Sequence, residues 1–232
     1  KPKDVVSGDF YWFEHHKGYD YIAAADCTGH GVPGALVSVV CNNALHRSLY
    51  EFSKISLENV MNNTRDIIIE TFSKSQVGIK DGMDISICRI DQENSEFQFV
   101  GANNPVWIVR KTEHLTQEEK ESRSSILGDQ FSLIEIKGDK QPVGLHENMQ
   151  SFNCITYQYT KGDLIYMFSD GYADQFGGPK GKKYMYKSFK KTVLKNCQLP
   201  MSEQKEQLNQ IFLSWKESIE QVDDVVIIGV KL

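Results

Sequence analysis

The sequence predicts an α+β fold, an α-β-β-α sandwich of two mainly antiparallel sheets flanked by helices. Predicted strands follow one another in runs instead of alternating with helices, which favours antiparallel pairing over a doubly wound parallel sheet. Several strands alternate apolar and polar residues, as expected when only one face is buried. Two stacked sheets covered by helices satisfy both observations. The 232 residues suffice for one large domain with a buried core, and we expect residues 1–232 to form it.

The chain opens on a β-hairpin. Residues 10–25 are rich in strand-forming side chains and contain a Lys-Gly dipeptide at their centre, a typical two-residue turn. If His16 faces Tyr19 across this turn, Asp9 faces Asp26, and carboxylates at cross-strand distance repel each other. A hard divalent cation between them would remove the repulsion, so the register predicts a metal site at this end of the hairpin.

Two helices are predicted next, over residues 33–52 and 56–73, because apolar side chains recur there at helical spacing. Pro33 suits the first turn of a helix, and Ser56 suits an N-cap. The apolar positions expected to share a face of the first helix are Leu36, Val39, Val40, Ala44, Leu45 and Leu49.

The rest of the chain is predicted to contain strands bounded by turn residues, two later helices and one polar, irregular stretch over residues 113–129. The predicted strands are 85–90, 96–100, 106–110, 131–136, 151–159, 164–169 and 225–231, and the later helices are 183–195 and 202–219.

Composition excludes several classes of function. A net charge of −5 without a dominant basic patch argues against nucleic acid as a partner. No apolar run approaches the ~20 residues that span a bilayer, so we expect no membrane insertion by this domain. The five cysteines are dispersed, odd in number and without a CxxC pair, which favours reduced thiols and a cytoplasmic location over disulfides or a zinc site.

Two further acidic sites share the placement of Asp9 and Asp26 at strand ends. Asp170 follows an apolar strand and precedes a glycine, and Asp223-Asp224 precede the last strand. Four such carboxylates on one rim would hold two hard divalent ions, which activate water for attack on a phosphoryl group. Taken singly, an Asp-Gly pair at a strand end is more often a turn former, and spacing alone does not bring these residues together.

An ordered set of motifs covers nearly the whole chain: GDFYW, AAADCTGHGVPGA, DGMDISICRI, GANNPVWIVR, YMFSDGYADQFGG and VDDVVIIGV. Together they resemble the SpoIIE-type branch of the metal-dependent serine/threonine protein phosphatases, the type 2C (PPM) superfamily. The resemblance implies two Mn²⁺ or Mg²⁺ ions at one rim of a two-sheet sandwich, with Asp26 bridging them. The implied ligands are Asp9, Asp26, the backbone carbonyl of Cys27, Asp170 and Asp223, with Asp224 as the alternative to Asp223 because adjacent aspartates leave a one-residue ambiguity.

The resemblance also raises the question of what holds the substrate phosphate. Eukaryotic relatives use an arginine near the first acidic motif, and no arginine lies near Asp9 here. His30 is a candidate proton donor to the leaving serine, or a residue that packs where the first helix begins. Asp81 and Asp84 lie near a loop that contributes to an additional, weaker metal site in relatives.

The implied function is hydrolysis of phosphoserine or phosphothreonine on a regulatory protein by a water that two metals activate. In this branch the substrate is commonly a phosphorylated anti-sigma-factor antagonist in bacterial partner switching, and a sensor domain precedes the phosphatase. We therefore expect the C-terminal part of a longer sensor protein, with the two helices after the hairpin as a regulatory switch that contacts the sensor or a second copy. The alternative is a pseudophosphatase that binds a partner without catalysis. A cyclic-nucleotide or small-phosphoester hydrolase would need His-rich metal motifs, which we do not find.

Overall fold

A computed structural model describes residues 1–52, 56–73, 81–122 and 125–232. In chain order its elements are β1 (Phe10–His16), β2 (Tyr19–Cys27), α1 (Gly31–Tyr50), α2 (Leu57–Ser73), β3 (Met83–Asp91), β4 (Glu96–Ala102), β5 (Val106–Lys111), α3 (Gln117–Glu121), β6 (Phe131–Ile136), β7 (Ile155–Gln158), β8 (Leu164–Phe168), α4 (Gly171–Asp174), β9 (Phe176–Gly177), β10 (Lys182–Lys183), α5 (Tyr186–Asn196), α6 (Met201–Lys216) and β11 (Ile227–Lys231).

The strands form two main antiparallel sheets. The first has the order β1-β2-β3-β4-β7 and the second β11-β8-β5-β6, while β9 and β10 form a separate small hairpin. Side chains of Phe99, Ile108 and Ile165 belong to the core between the two sheets. The other two core clusters lie on the outer faces, where α1 and α2 cover the first sheet and α5 and α6 cover the second. The predicted α+β sandwich is confirmed.

The register of the first hairpin is the predicted one. His16 faces Tyr19, and Phe10 faces Ala25 at the other end of the ladder. Lys17 and Gly18 both have positive φ, 51° and 83°, which is the conformation that a two-residue type I′ turn requires. The continuation of this register places Asp9 opposite Asp26.

The buried face of α1 differs from the predicted one. Leu36 and Val39 are each 66% exposed, whereas Val37 and Cys41 are buried against the first sheet. Apolar side chains occur all around the first half of this helix, so periodicity alone does not identify the face that packs. Ala44, Leu45 and Leu49 are buried as expected.

The polar stretch over residues 113–129 is not irregular throughout, although residues 123–124 lie outside the described ranges. It contains the short helix α3, which a capping box begins: the Thr116 hydroxyl accepts from the Glu119 backbone, and the Glu119 carboxylate accepts from the Thr116 N–H. The predicted strand over 151–159 is confirmed only at its centre, as β7. No helix among the described residues is long and apolar enough to cross a membrane.

Candidate metal centre

Three aspartates stand side by side across three neighbouring strands of the first sheet. Asp26 is the penultimate residue of β2 and pairs with Asp84 of β3, and Asp9 occupies the next position of the hairpin register on the other side. Directly opposed residues in a sheet project from the same face, so the three carboxylates share one rim. Asp9 is only 8% exposed.

The second sheet brings its own aspartates to this rim. Asp170 follows β8, and its backbone nitrogen lies 3.5 Å from Oδ2 of Asp26, 144 residues away in sequence. Strand β11 pairs with β8, so the Asp223-Asp224 pair that precedes β11 lies beside the end of β8. Gly171 permits the close approach, because a Cβ there would stand 2.0 Å from the carbonyl oxygen of Asp224. We call Asp9, Asp26, Asp170 and Asp223 the carboxylate rim.

Burial and mutual repulsion raise the pKa values of the carboxylate rim. The pKa of Asp26 rises to about 9, first because of burial and then because of the charges of Asp9 and Asp170. Burial is also the main reason that the pKa of Asp9 rises to about 7 and that of Asp170 to about 6, with Asp223 adding repulsion at both. These carboxylates are therefore hard to ionise together without a cation.

The donors of the carboxylate rim fit divalent cations such as Mn²⁺ or Mg²⁺. They are hard carboxylate oxygens, and Oδ2 of Asp9 is buried without a hydrogen-bond partner. Within the described residues, no three acidic, histidine or cysteine side chains are placed closely enough to hold a metal ion as they stand, so metal binding would draw these carboxylates closer together. Asp9, Asp26, Asp170 and Asp223 would hold the ions, which supply Lewis acidity and lower the pKa of bound water.

The structure separates the adjacent pair Asp223 and Asp224. Asp224 is 1% exposed, and its two carboxylate oxygens accept backbone N–H groups from Lys3 and Gly8, each at 2.7 Å. Asp223 instead lines the same cavity as Asp26. The geometry therefore favours Asp223 as the ligand and gives Asp224 a structural task, to fasten the segment before β1.

A cavity of about 280 Å³ lies at the rim between the β2–α1 loop and the start of β3. Its lining residues are Asp26, Cys27, Thr28, Gly29, His30, Gly82, Met83, Asp84, Pro142, Gly144 and Asp223. A larger groove of about 500 Å³ lies between α6 and β11, but it is mainly apolar and contains no carboxylate. The smaller cavity is therefore the candidate substrate site.

Asp84 is a stronger candidate for an additional metal ligand than the sequence indicated. It lines the cavity, whereas Asp81 does not. Burial raises the pKa of Asp84, and Asn103 donates to its Oδ1 at 2.8 Å. Only the pairing of β2 with β3 places Asp84 beside Asp26. Because 55 residues separate the two strands in sequence, local patterns do not reveal this pairing.

Cys27 and His30 also line the cavity. The Cys27 thiol is buried, and its hydrogen bond with Cys41 together with burial raises its pKa strongly, so it does not provide a thiolate nucleophile. His30 Nδ1 lies 2.8 Å from Oδ2 of Asp4, and His30 Nε2 lies 3.0 Å from Lys3 Nζ. Both ring nitrogens thus have partners in the segment before β1. The roles of the Cys27 carbonyl as a ligand and of His30 as a proton donor stay predictions.

Comparisons with known proteins identify the family and the fold of the chain. The sequence profile of the SpoIIE family, described as Stage II sporulation protein E, matches residues 17–232. No curated protein sequence matches the chain. The SiaA-PP2C domain of Pseudomonas aeruginosa is similar with a TM-score of 0.83 and 22% identity, over 100% of this chain and 83% of that one.

Two further solved structures have the same fold. The PP2C phosphatase domain of Bacillus subtilis SpoIIE, with a fragment of its regulatory domain, has a TM-score of 0.70 and 20% identity over 99% of this chain, which spans 59% of that one. RsbX in complex with magnesium has a TM-score of 0.59 and 14% identity, over 97% of this chain and 87% of that one. These likenesses show the PP2C fold, and the profile covers most of the sequence. The chain belongs to the SpoIIE family, a branch of the metal-dependent protein serine/threonine phosphatases.

Proposed function

We propose that this domain hydrolyses phosphoserine and phosphothreonine in a regulatory protein, with two Mn²⁺ or Mg²⁺ ions held at the carboxylate rim. The observation that carries the proposal is the convergence of four partly or fully buried aspartates from two sheets. None of the four forms an ion pair with a basic side chain in the described part of the chain. Either protonation or a bound cation relieves such repulsion, and a divalent cation lets all four carboxylates stay ionised.

The chain's own residues prepare the site for this reaction. Asp9 and Asp26 approach from the first sheet, Asp170 and Asp223 from the second, and Gly171 lets the two groups meet. Bound ions would polarise the phosphoryl group and activate water. The buried Cys27 thiol, with its raised pKa, supports attack by water instead of by a cysteine.

The partners that we infer are a phosphorylated protein of the anti-sigma-factor-antagonist type, an upstream sensor domain in the same chain and a second copy of the domain, in a bacterial cytoplasmic signalling pathway. The exposed side chains of Val32, Leu36 and Val39 support a contact at α1, because all three are 66% exposed and share one side of the helix. This helix begins four residues after Cys27, so a partner there could move the metal-binding turn.

The alternative function, a pseudophosphatase, would leave this site without a task. All four aspartates of the carboxylate rim are present in the sequence, and Asp26 and Asp223 line the cavity, which favours an active enzyme. We therefore keep the enzyme as the proposal.

The test is release of phosphate from a phosphoserine peptide by the full chain, with Mn²⁺, Mg²⁺ or a chelator. We expect release only with metal, and slower release from a phosphotyrosine peptide of the same sequence. Asp223→Asn and Asp224→Asn form a matched pair. Asp223→Asn should weaken metal binding and reduce the rate more than tenfold, about 1.4 kcal/mol or more.

Asp224→Asn should keep the metal affinity, because its carboxylate holds backbone N–H groups and not ions. The substitution replaces one of the two buried carboxylate oxygens, which accept backbone N–H groups, and should lower the free energy of unfolding by about 1–3 kcal/mol. Absence of phosphate release with any metal would contradict the enzyme proposal. If Asp224→Asn weakens metal binding and Asp223→Asn leaves it unchanged, Asp224 is the metal ligand and Asp223 is not.

A further inference from the structure

The segment before β1 places a lysine against a histidine that lines the candidate substrate cavity. Lys3 Nζ lies 3.0 Å from His30 Nε2, and His30 lines the cavity together with Asp26 and Asp223. On the other side of the imidazole, Nδ1 lies 2.8 Å from Oδ2 of Asp4. Residues of the segment thus hold both nitrogens of one cavity histidine.

The hydrogen-bonding capacity of these groups fixes their roles. A lysine ammonium only donates, so His30 Nε2 is the acceptor of the Lys3 contact. The imidazole proton then lies on Nδ1 and is donated to Asp4. One of the three ammonium N–H groups is used in this way, and among the described residues Lys3 Nζ has no other hydrogen-bond or ion-pair partner. Two donors therefore remain for a ligand.

The backbone of the segment is fixed independently of the lysine side chain. The N–H groups of Lys3 and Gly8 both bind the buried carboxylate of Asp224 at 2.7 Å. These two hydrogen bonds fix the segment near both of its ends and hold it directly before Asp9. The backbone of Lys3 is therefore fixed before any ligand arrives, and the contact with His30 Nε2 orients the ammonium, which reduces the entropy cost of binding.

The net charge of the site with its metal ions and substrate favours a nearby protein cation such as Lys3. Four aspartates and two divalent ions sum to no net charge, and a phosphoserine adds about −1.5 to −2. Lys183, whose charge acts on Asp170, is engaged with Asp174 at 2.7 Å. The described arginines also have partners elsewhere, namely Arg47 with Glu51, Arg65 with the Gln150 carbonyl, Arg89 with the Tyr19 ring and Arg110 with Asp163.

We infer that Lys3, oriented by His30 and Asp4, binds a phosphoryl oxygen of the phosphoprotein substrate. This inference rests on the proposed function for the identity of the ligand, a phosphorylated side chain. It also gives His30 a positioning task, since its Nε2 faces Lys3.

The experiment compares the wild-type chain with Lys3→Met, Lys3→Arg and Lys191→Met. Lys191 is an exposed residue of α5 and serves as the matched control. Two quantities are measured with Mn²⁺ present: the kinetics on a phosphoserine peptide, and the affinity for inorganic phosphate by calorimetry, which needs no turnover. Lys3→Met should raise KM and the Kd for phosphate about tenfold, as loss of one charge-assisted hydrogen bond predicts. The Lys3→Arg variant should restore most of both, and Lys191→Met should change neither.

The results distinguish this inference from the proposed function. If the wild-type chain is active and Lys3→Met changes neither KM nor phosphate affinity, the inference is wrong and the enzyme proposal stands. A fall in kcat alone would also overturn it, because Lys3 would then act through His30 and not on the phosphate. If the chain hydrolyses no phosphopeptide but binds phosphate with Lys3-dependent affinity, the inference stands and the enzyme proposal fails. If it neither binds phosphate nor hydrolyses peptide, both fail.

Discussion

Two groups of buried charges in this protein have opposite environments. At the carboxylate rim, Asp9 and Asp26 face other carboxylates, and burial and repulsion raise their pKa values. At the other group, which we call the Arg110 cluster (Arg110, Glu119, Tyr157 and Asp163), anions and a cation meet. Arg110 donates to Oδ2 of Asp163 from Nε at 2.9 Å and from Nη2 at 2.7 Å.

The Arg110 cluster is internally complete. The guanidinium also donates to Glu119 at 3.1 Å and to the Gln158 carbonyl at 2.8 Å, and the ring of Tyr157 lies 5.0 Å from it. Burial alone would raise the pKa of Glu119, but the Tyr157 hydroxyl, the Thr116 N–H and the Arg110 charge lower it. Similar carboxyl groups thus have pKa shifts of opposite sign. A buried charge with all its partners indicates a structural role, and one without them indicates a binding site.

The largest effect on activity that follows from this comparison is expected at Asp26. Asp26→Asn removes the carboxylate expected to bridge the ions, and we expect the phosphatase rate to fall at least about a hundredfold, or about 2.8 kcal/mol of barrier. The metal-free variant should unfold at a higher temperature than the metal-free wild type, because the repulsion with Asp9 is relieved. Steady-state kinetics and thermal melts measure both. Retention of more than about a tenth of the wild-type rate would contradict the bridging role.

Arg110→Met should produce the converse result, a large loss of stability with little change in catalysis. Asp163 is 3% exposed, so removal of its partner leaves an uncompensated buried charge, at a cost of about 3–5 kcal/mol. Denaturant unfolding measures the loss, and kcat per folded molecule should be unchanged. Arg47→Met breaks an exposed ion pair with Glu51 and serves as the control, with a much smaller effect. A loss of activity in folded Arg110→Met would show that the two groups are coupled.

A third expected effect is a pH dependence confined to the metal-free protein. The folded-state pKa values of about 6 for Asp170, 7 for Asp9 and 9 for Asp26 lie above their unfolded values near 4. The folded state therefore binds more protons, and stability should be highest near pH 4 and decline as pH rises through about 6 to 9. Saturating Mn²⁺ should remove the decline. Melting temperatures at several pH values test this, and an equal decline in Asp26→Asn would assign it to other groups.

The sequence alone determined the parts of the molecule that depend on neighbours along the chain. A Lys-Gly turn between strand-forming residues set the register that places Asp9 opposite Asp26, and the structure has this register. Alternation and turn residues also located most strands and the long helices to within a few residues. Local patterns failed where apolar residues surround a helix, as at Leu36. The short helix α3 was missed although its capping box, Thr116 with Glu119, is a local sequence pattern.

Only the tertiary structure decided how the separate acidic motifs combine into a site. Asp170 and Asp26 are 144 residues apart in sequence, and the hydrogen bond from the Lys3 N–H to Asp224 joins residues that are 221 apart. No local pattern encodes such contacts, because they arise from the packing of two sheets and from the space left by Gly171. The sequence likewise does not distinguish Asp223 from Asp224. In the fold, Asp223 lines the cavity, whereas Asp224 accepts hydrogen bonds from the backbone before β1.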